Sequence, residues 1–203
     1  MEPTKSRGGR PWSFDRGKAV ETAMRLFWQR GYEGVSVGDL TKAIGIAPPS
    51  LYAAFGSKAG LYQEALTHYE EGAGSLDMTP VNAATTLTEA VRLLLEAAIR
   101  TVTHSDRERG CMISSGMITC HPEHAEIARD LAARREAHRE RIARVLERFG
   151  PVDEVRRLSR HLVAVMQGIS IQARDGVEVT QLQEIVEEVV SSVASRLGKG
   201  PRT

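Results

Sequence analysis

Cysteine is scarce in this 203-residue chain, which contains only Cys111 and Cys120. Two thiols are too few for a disulfide-stabilised scaffold, so we expect a protein of a reducing compartment. The chain also lacks any apolar run near the roughly 20 residues that a membrane span needs. Its first residues, MEPTKSRGGRPWS, contain no hydrophobic signal-peptide segment. These absences predict a cytoplasmic protein without a membrane partner.

Sequence motifs typical of enzymes are missing as well. No glycine-rich phosphate loop, paired carboxylates or Ser-His-Asp arrangement can be recognised. The segment CHPEH (120–124) does bring one cysteine and two histidines together, which invites a metal-site interpretation. Its Pro122 and Glu123 are, however, typical of the first turn of a helix, so a loop that enters a helix is the simpler interpretation. We therefore predict no enzymatic activity, no metal site and no cofactor.

The charges nearly cancel, but they are unevenly distributed. Lys plus Arg number 27 and Asp plus Glu number 26, for a net charge of +1. Residues 1–60 hold nine basic and five acidic residues, or +4, and the remainder holds 18 and 21, or −3. Nine of the ten aromatic residues lie at or before Tyr69, and only Phe149 follows. A basic, aromatic-rich head thus precedes a mildly acidic, aliphatic body, and the head is the part suited to a nucleic-acid partner.

Apolar residues recur at helical spacing along almost the whole chain, and no segment has the alternation of a strand. Residues 1–13 are predicted to form a flexible basic arm because Gly8, Gly9 and Pro11 interrupt any periodicity. Short helical segments bounded by glycines and capping serines follow, and longer amphipathic helices fill the rest. The predicted fold class is therefore all-α.

Two of the short helical segments are joined by a tight turn at Gly45. Leu40 and Ile44 come before this glycine, and Leu51 and Phe55 come after it, so both helices carry apolar residues for burial. The second helix opens on two prolines and otherwise has small residues on its remaining face. This arrangement is typical of a helix-turn-helix that reads DNA.

The segment FDRGKAVETAMRLFWQRGYEGVSVGDLTKAIGIAPPSLYAAFGSKAGLYQEAL (14–66) resembles the N-terminal DNA-binding domain of the TetR/AcrR family of bacterial transcriptional repressors. The matching positions are Ala23, Phe27, Gly31, Ser36, Asp39-Leu40, Ala43-Ile44-Gly45-Ile46, Ser50-Leu51-Tyr52, Phe55, Lys58 and Leu61. This block covers about a quarter of the chain. Beyond it, only the all-helical layout agrees with the family.

The resemblance implies an N-terminal three-helix helix-turn-helix DNA-binding domain (14–60) and a C-terminal helical-bundle domain for ligand binding and dimerisation (61–203). Tyr52 resembles the family's recognition-helix tyrosine, which meets a phosphate or a base edge, and Lys58 resembles its phosphate clamp. Ser36 is expected to cap its helix and could also donate to phosphate. Arg7 and Arg10 could enter a minor groove, or the arm could have no role. The DNA-binding candidates are Ser36, Thr41, Lys42, Ala47, Pro48, Pro49, Ser50, Tyr52, Ala53 and Lys58.

The resemblance also implies that the last two long helices pair with those of a second copy. Their continuous aliphatic stripes offer more apolar surface than one core obviously consumes, which supports a homodimer. The candidates for the dimer interface are Val155, Leu158, Leu162, Val165, Leu182, Ile185, Val186, Val189, Val190 and Val193.

A pocket for an unidentified small-molecule ligand is the family's other implied feature. The candidate lining residues are aliphatic or methionine, with hardly an aromatic, which suits a largely apolar molecule. They are Leu94, Ala98, Val102, Met112, Met117, Phe149, Met166 and Ile169.

Together these features predict a homodimeric repressor that binds a palindromic double-stranded operator and is released by a small, largely apolar ligand. One alternative is a helical ligand-binding or enzymatic protein in which the N-terminal helices serve only as a scaffold. Another is a redox-responsive protein in which Cys111 and Cys120 act as the trigger.

Overall fold

The computed structural model describes residues 14–197, and this part of the chain forms ten α-helices and no strand. The predicted all-α fold class is confirmed. The predicted arm (1–13), with Arg7 and Arg10, lies outside the described residues. The helices are α1 Arg16–Arg30, α2 Val37–Ile44, α3 Pro48–Phe55, α4 Lys58–Glu71, α5 Thr79–Ala83, α6 Leu87–Val102, α7 Met112–Ser115, α8 Ala125–Leu146, α9 Val152–Arg174 and α10 Val179–Leu197.

Local capping explains where the N-terminal helices begin. The Asp15 side chain accepts a hydrogen bond from the Lys18 amide at the start of α1. Ser36 and Asp39 form a capping box at the start of α2, and Ser57 accepts from the Gly60 amide at the start of α4. The expected caps at Ser36 and Ser57 are thus confirmed. The sequence pattern did not reveal α5, because a five-residue helix is too short to show a helical period.

The apolar side chains form two core clusters. The head cluster joins α1–α4 to residues 112–131, which include α7 and the first part of α8. The body cluster joins α5, α6, α9 and α10 to the last part of α8. The predicted boundary between residues 60 and 61 falls inside α4, so this helix continues from the head towards the body. None of the helices within residues 14–197 is both long and apolar enough to cross a membrane.

Polar contacts also tie the head to the body. The Arg174 guanidinium on α9 donates to the Trp28 carbonyl on α1 at 2.9 Å. The Gln29 side chain donates to the Glu108 carboxylate at 2.9 Å. These contacts join residues that are far apart in the sequence, so they hold α1 against the body.

Two glycines set the position of α3. Gly45 ends α2 in the left-handed region, with φ of +78°, where a side chain would be strained. Gly60 lies in the first turn of α4, and a Cβ atom there would come within 2.1 Å of the Phe55 carbonyl oxygen. The end of α3 can therefore approach α4 this closely only because residue 60 has no side chain.

We predict that Gly60→Ala lowers the free energy of unfolding by about 1–3 kcal/mol, because the backbone at Phe55 must shift to admit the methyl group. Gly38→Ala is the matched control, since no atom lies closer than 3.6 Å to a Cβ built there. The control should be neutral or gain up to about 1 kcal/mol from helix propensity. Urea unfolding followed by circular dichroism measures both, and equal stabilities of the two variants would contradict the close approach.

Candidate functional site

The eight-residue helix α3 has a buried side and an exposed side. Leu51 and Phe55 belong to the head core. Ala47 caps the helix at its N-terminal end, and Ala47, Pro48, Pro49, Tyr52 and Ala53 are all exposed, whereas Ser50 is half-buried. Tyr52 is 48% exposed, so it is not a core aromatic. Its ring is the largest group on a face that otherwise carries small side chains.

Arg16 at the start of α1 braces the end of α3, a role that no sequence signal indicated. Its guanidinium donates to the Glu64 carboxylate at 2.6 Å and to the Ala54 carbonyl at 3.4 Å. The same group lies 4.8 Å from the centre of the Phe55 ring, in cation–π geometry. These contacts fix α3 relative to both α1 and α4.

Lys58 lies one turn beyond α3 and is held in place by an aromatic ring. Its ammonium is 4.1 Å from the centre of the buried Tyr32 ring. Burial lowers the pKa of Lys58, and the nearby Glu33 carboxylate acts in the opposite direction. A half-buried cation at the start of α4 can still face a phosphate, but its stem is part of the head packing.

Three candidates lie on or next to α2. The exposed Ser36 donates its hydroxyl hydrogen to the Asp39 carboxylate at 2.5 Å, and its backbone amide donates to the same carboxylate. Both hydrogen bonds lower the pKa of Asp39. Lys42 is exposed. Thr41, in contrast, is only 7% exposed, and its hydroxyl donates to the carbonyls of its own helix, 3.0 Å from the Val37 oxygen. Thr41 therefore faces the core, and it presents little surface to DNA.

The CHPEH segment attaches the body to the α1–α2 turn. The Glu33 carboxylate accepts from the His121 amide at 2.7 Å and contacts the His124 ring nitrogen at 2.9 Å. The hydrogen bonds with the His121 amide and the His124 side chain lower the pKa of the Glu33 carboxyl group. The His124 ring also packs edge-on against Tyr32 at 5.0 Å. Within residues 14–197, no group of three or more His, Cys, Asp or Glu side chains is arranged to hold a metal ion.

The body contains a cavity of about 730 Å³. It is open on one side and is bordered by α4, α6, α8 and α9, together with Gly74, Ser75, Leu76, Met78, Cys111, Ile113 and Ser114. Ala98, Val102 and Met166 line it, as the sequence pattern suggested. A volume of this size is typical of a small-molecule site.

The other candidates for the pocket do not line this cavity. Leu94 and Ile169 are fully buried in the body core, which leaves no surface for a ligand. Met112 and Met117 pack in the head cluster. Phe149 lies beneath the Arg148 guanidinium, 4.5 Å from ring centre to carbon. Helical spacing identifies an inner face but does not show whether a cavity lies beside it, which is why these five residues were expected at the pocket.

The cavity wall is more polar than the sequence suggested. The missed lining residues with polar side chains include Tyr69, Glu70, Glu71, Thr101, Cys111, Ser114, Arg135, His138, Arg141, Arg144, Gln167 and Ser170. Four of them, Arg135, His138, Arg141 and Arg144, recur at helical spacing on α8. Burial and the charge of Arg141 lower the pKa of His138 to about 4, so its imidazole is neutral at pH 7.

Most of the residues predicted for the dimer interface are buried within the chain itself. Seven of them are buried in the body core: Val155, Leu162, Leu182, Val186, Val189, Val190 and Val193. Leu158, Val165 and Ile185 are half-buried. The seven buried residues already pack against α6 and each other, so they offer little surface to a partner.

Comparisons with known proteins agree with this architecture. The family model for bacterial regulatory proteins of the tetR family matches residues 19–65. The chain is 32% identical to the HTH-type transcriptional repressor ComR of Escherichia coli strain K12 over 188 residues, or 89% of each chain. It is 34% identical to the repressor BdcR of the same organism over 176 residues, or 86% of each chain.

A solved structure extends the agreement to three dimensions. The TetR family transcriptional regulator CifR, a cysteine mutant complexed with 26-base-pair double-strand operator DNA, matches with a TM-score of 0.81 and 37% identity. The match covers 90% of this chain and 98% of that chain. Because these relatives match both the helix-turn-helix and most of the body, the chain belongs to the tetR family and is a DNA-binding transcriptional repressor, not an enzyme.

Proposed function

We propose that the protein binds a palindromic operator as a homodimer through α3, and that a small molecule in the body cavity releases it from the DNA. The exposed Tyr52 is the observation that carries the DNA-binding assignment. A large ring that adds nothing to the core stands in the middle of a helix whose neighbouring exposed side chains are small. Such a face can approach a groove closely.

The chemistry of α3 limits how it reads a base sequence. The helix has no Arg, Asn or Gln, the side chains that make two hydrogen bonds to a base edge. Apolar contact of Pro48, Pro49 and Ala53 with thymine methyl groups and contacts of Tyr52 are therefore the proposed sources of specificity. Lys42, Lys58 and Ser36 are the proposed phosphate contacts, and Ala47 and Ser50 lie beside them at the start of α3.

We assign dimerisation to the outer face of α9 and not to the predicted interface residues that are buried in the body core. Ala164 and Ile171 are exposed on this face, the latter by 46%, and Gly168 lies between them at helical spacing. A Cβ built on Gly168 would meet no atom within 4 Å. An exposed apolar and small-residue face on a long helix lets a second copy approach closely. The half-buried Val165 borders the same face.

Tyr69 connects the cavity with the head. Its ring lines the cavity and packs edge-on against Trp28 of α1, with ring centres 4.8 Å apart. We propose that a ligand which displaces Tyr69 shifts α4 and α1 together. The dimer then favours a conformer whose two α3 helices no longer match half-sites about one DNA turn apart.

The cysteine alternative remains open to the same assays. Both thiols are free and half-buried, and Cys111 lines the cavity. A redox trigger predicts that mild peroxide abolishes operator binding and that a thiol restores it. The cytoplasmic location stays a prediction of the sequence.

We predict that Tyr52→Ala weakens operator binding by at least about tenfold, because it removes the largest contact of α3. Its thermal unfolding midpoint should stay close to that of the wild type, since Tyr52 is exposed. Val179→Ala, an exposed residue at the start of α10, is the matched control and should bind normally. Gel-shift titration measures both, and wild-type affinity of the Tyr52→Ala protein would refute the assignment of α3.

The dimer face makes a separate prediction. The wild type should sediment at twice its chain mass of 22.3 kDa at micromolar concentration. Ala164→Glu should sediment as a monomer, because the association would bury an unpaired carboxylate. Ala132→Glu, at an exposed alanine of α8, is the control and should remain dimeric. A wild-type monomer in analytical ultracentrifugation would exclude the homodimer, and a dimeric Ala164→Glu protein would place the interface elsewhere.

A further inference from the structure

The body cavity has two chemically different sides. Its apolar side is made by Ala98 and Val102 of α6 and by Val163 and Met166 of α9. Its other side is α8, which contributes three arginines to the wall: the half-buried Arg135, and Arg141 and Arg144, which are exposed. A molecule that fills the cavity would therefore meet aliphatic groups along one side and guanidinium groups along the other.

The charges of these arginines are not neutralised within residues 14–197. No carboxylate of these residues lies within 4.0 Å of Arg135, Arg141 or Arg144, whereas Arg134 and Arg139 on the same helix are both paired with acids. Arg135 donates instead to the carbonyls of Ile113 and Gly116, each at 3.0 Å. Arg141 contacts the His138 ring nitrogen at 3.4 Å. The neutral imidazole of His138 cannot compensate these positive charges.

The opposite wall offers little negative charge. Its two acids are Glu70 and Glu71, and Glu70 is already bound by Arg134. Glu71 is exposed to solvent. The wall therefore carries more positive than negative charge, which favours an anionic ligand.

Tyr69 also lines the cavity, and it is 1% exposed. Its hydroxyl lies beside the Cys111 thiol and the Met112 amide, and burial raises its pKa. It adds a neutral polar group to the wall.

We propose that the cavity binds an amphipathic carboxylic acid, whose carboxylate faces Arg141 and Arg144 and whose apolar body lies against α6 and α9. Guanidinium groups match the geometry of a carboxylate and bind it in two-pronged fashion. The inference rests on the ligand-release function proposed above, and it narrows the expected largely apolar ligand to an amphipathic acid. The carboxylate also separates this site from a purely hydrophobic cavity, which would prefer an alcohol or an alkane.

Four probes with the same eight-carbon chain test the head group: octanoate, octanol, octylamine and octyl phosphate. Isothermal titration of the DNA-free protein should show octanoate binding at least about tenfold more tightly than each of the others. In the double variant Arg141→Gln/Arg144→Gln, the affinity for octanoate should fall to the affinity for octanol. The double variant Arg129→Gln/Arg100→Gln removes two exposed arginines that do not line the cavity, and it should bind octanoate like the wild type.

Several results would overturn the proposal. They are equal or tighter binding of octanol, octylamine or octyl phosphate, no measurable octanoate binding at millimolar concentration, or unchanged octanoate affinity in Arg141→Gln/Arg144→Gln. A gel shift with and without octanoate separates this proposal from the proposed function. If octanoate binds but leaves the operator complex intact, the carboxylate site stands and release by ligand fails. If the DNA-free protein discriminates no head group while it still binds the operator, the carboxylate site alone fails.

Discussion

The aromatic packing between α1 and α4 is the interaction on which the rest of the molecule depends. Phe27 packs edge-on against Tyr62, and Trp28 packs edge-on against Tyr69, both with ring centres 4.8 Å apart. Such pairs add about 0.5–1.5 kcal/mol each beyond the area that they bury. They hold α1 and α4 in a fixed position relative to each other. Of these two helices, α1 supports α3, the helix proposed to read DNA, and α4 reaches the cavity.

The same aromatic block explains how distant parts can influence α3. Tyr32 stacks on Phe27 and lies beneath the Lys58 ammonium, and the His124 ring contacts its edge. His124 directly precedes α8, and the middle of α8 forms the charged wall of the cavity. The cavity thus has two physical connections to the head, one through Tyr69 and one through α8. Each consists of packed side chains, which is the physical basis of the release by ligand that we propose.

Local signals in the sequence were sufficient for the head. The capping serines, prolines and glycines act over a few residues, so Ser36 and Gly45 predict the bounds of α2. Pro48 and Gly56 do the same for α3. The family resemblance rested on the same segment. Composition also separated the head from the body. Most aromatics of the head are core residues, and among the aromatics that the structure describes only Tyr52 is exposed to solvent.

The body could not be predicted to the same depth, because its features depend on tertiary packing. An aliphatic stripe such as Val186 to Val193 looks the same in sequence whether it packs on its own chain or on a partner. The spacing of the arginines on α8 does not show that Arg135, Arg141 and Arg144 border a cavity opposite α6 and α9. The choice between a lining residue and a core residue, as for Met166 against Ile169, depends on where a cavity opens, and helical spacing carries no information on that.

The salt dependence of DNA binding tests the central claim most directly. Fluorescence anisotropy of the wild-type protein with a duplex from the region upstream of its own gene should show tight binding at low salt. The affinity should fall steeply and linearly on logarithmic axes, by about 10³-fold between about 50 and about 200 mM salt, as several phosphate contacts per dimer require. Binding that does not change with salt, or no binding to the duplex at about 50 mM salt, would contradict the account.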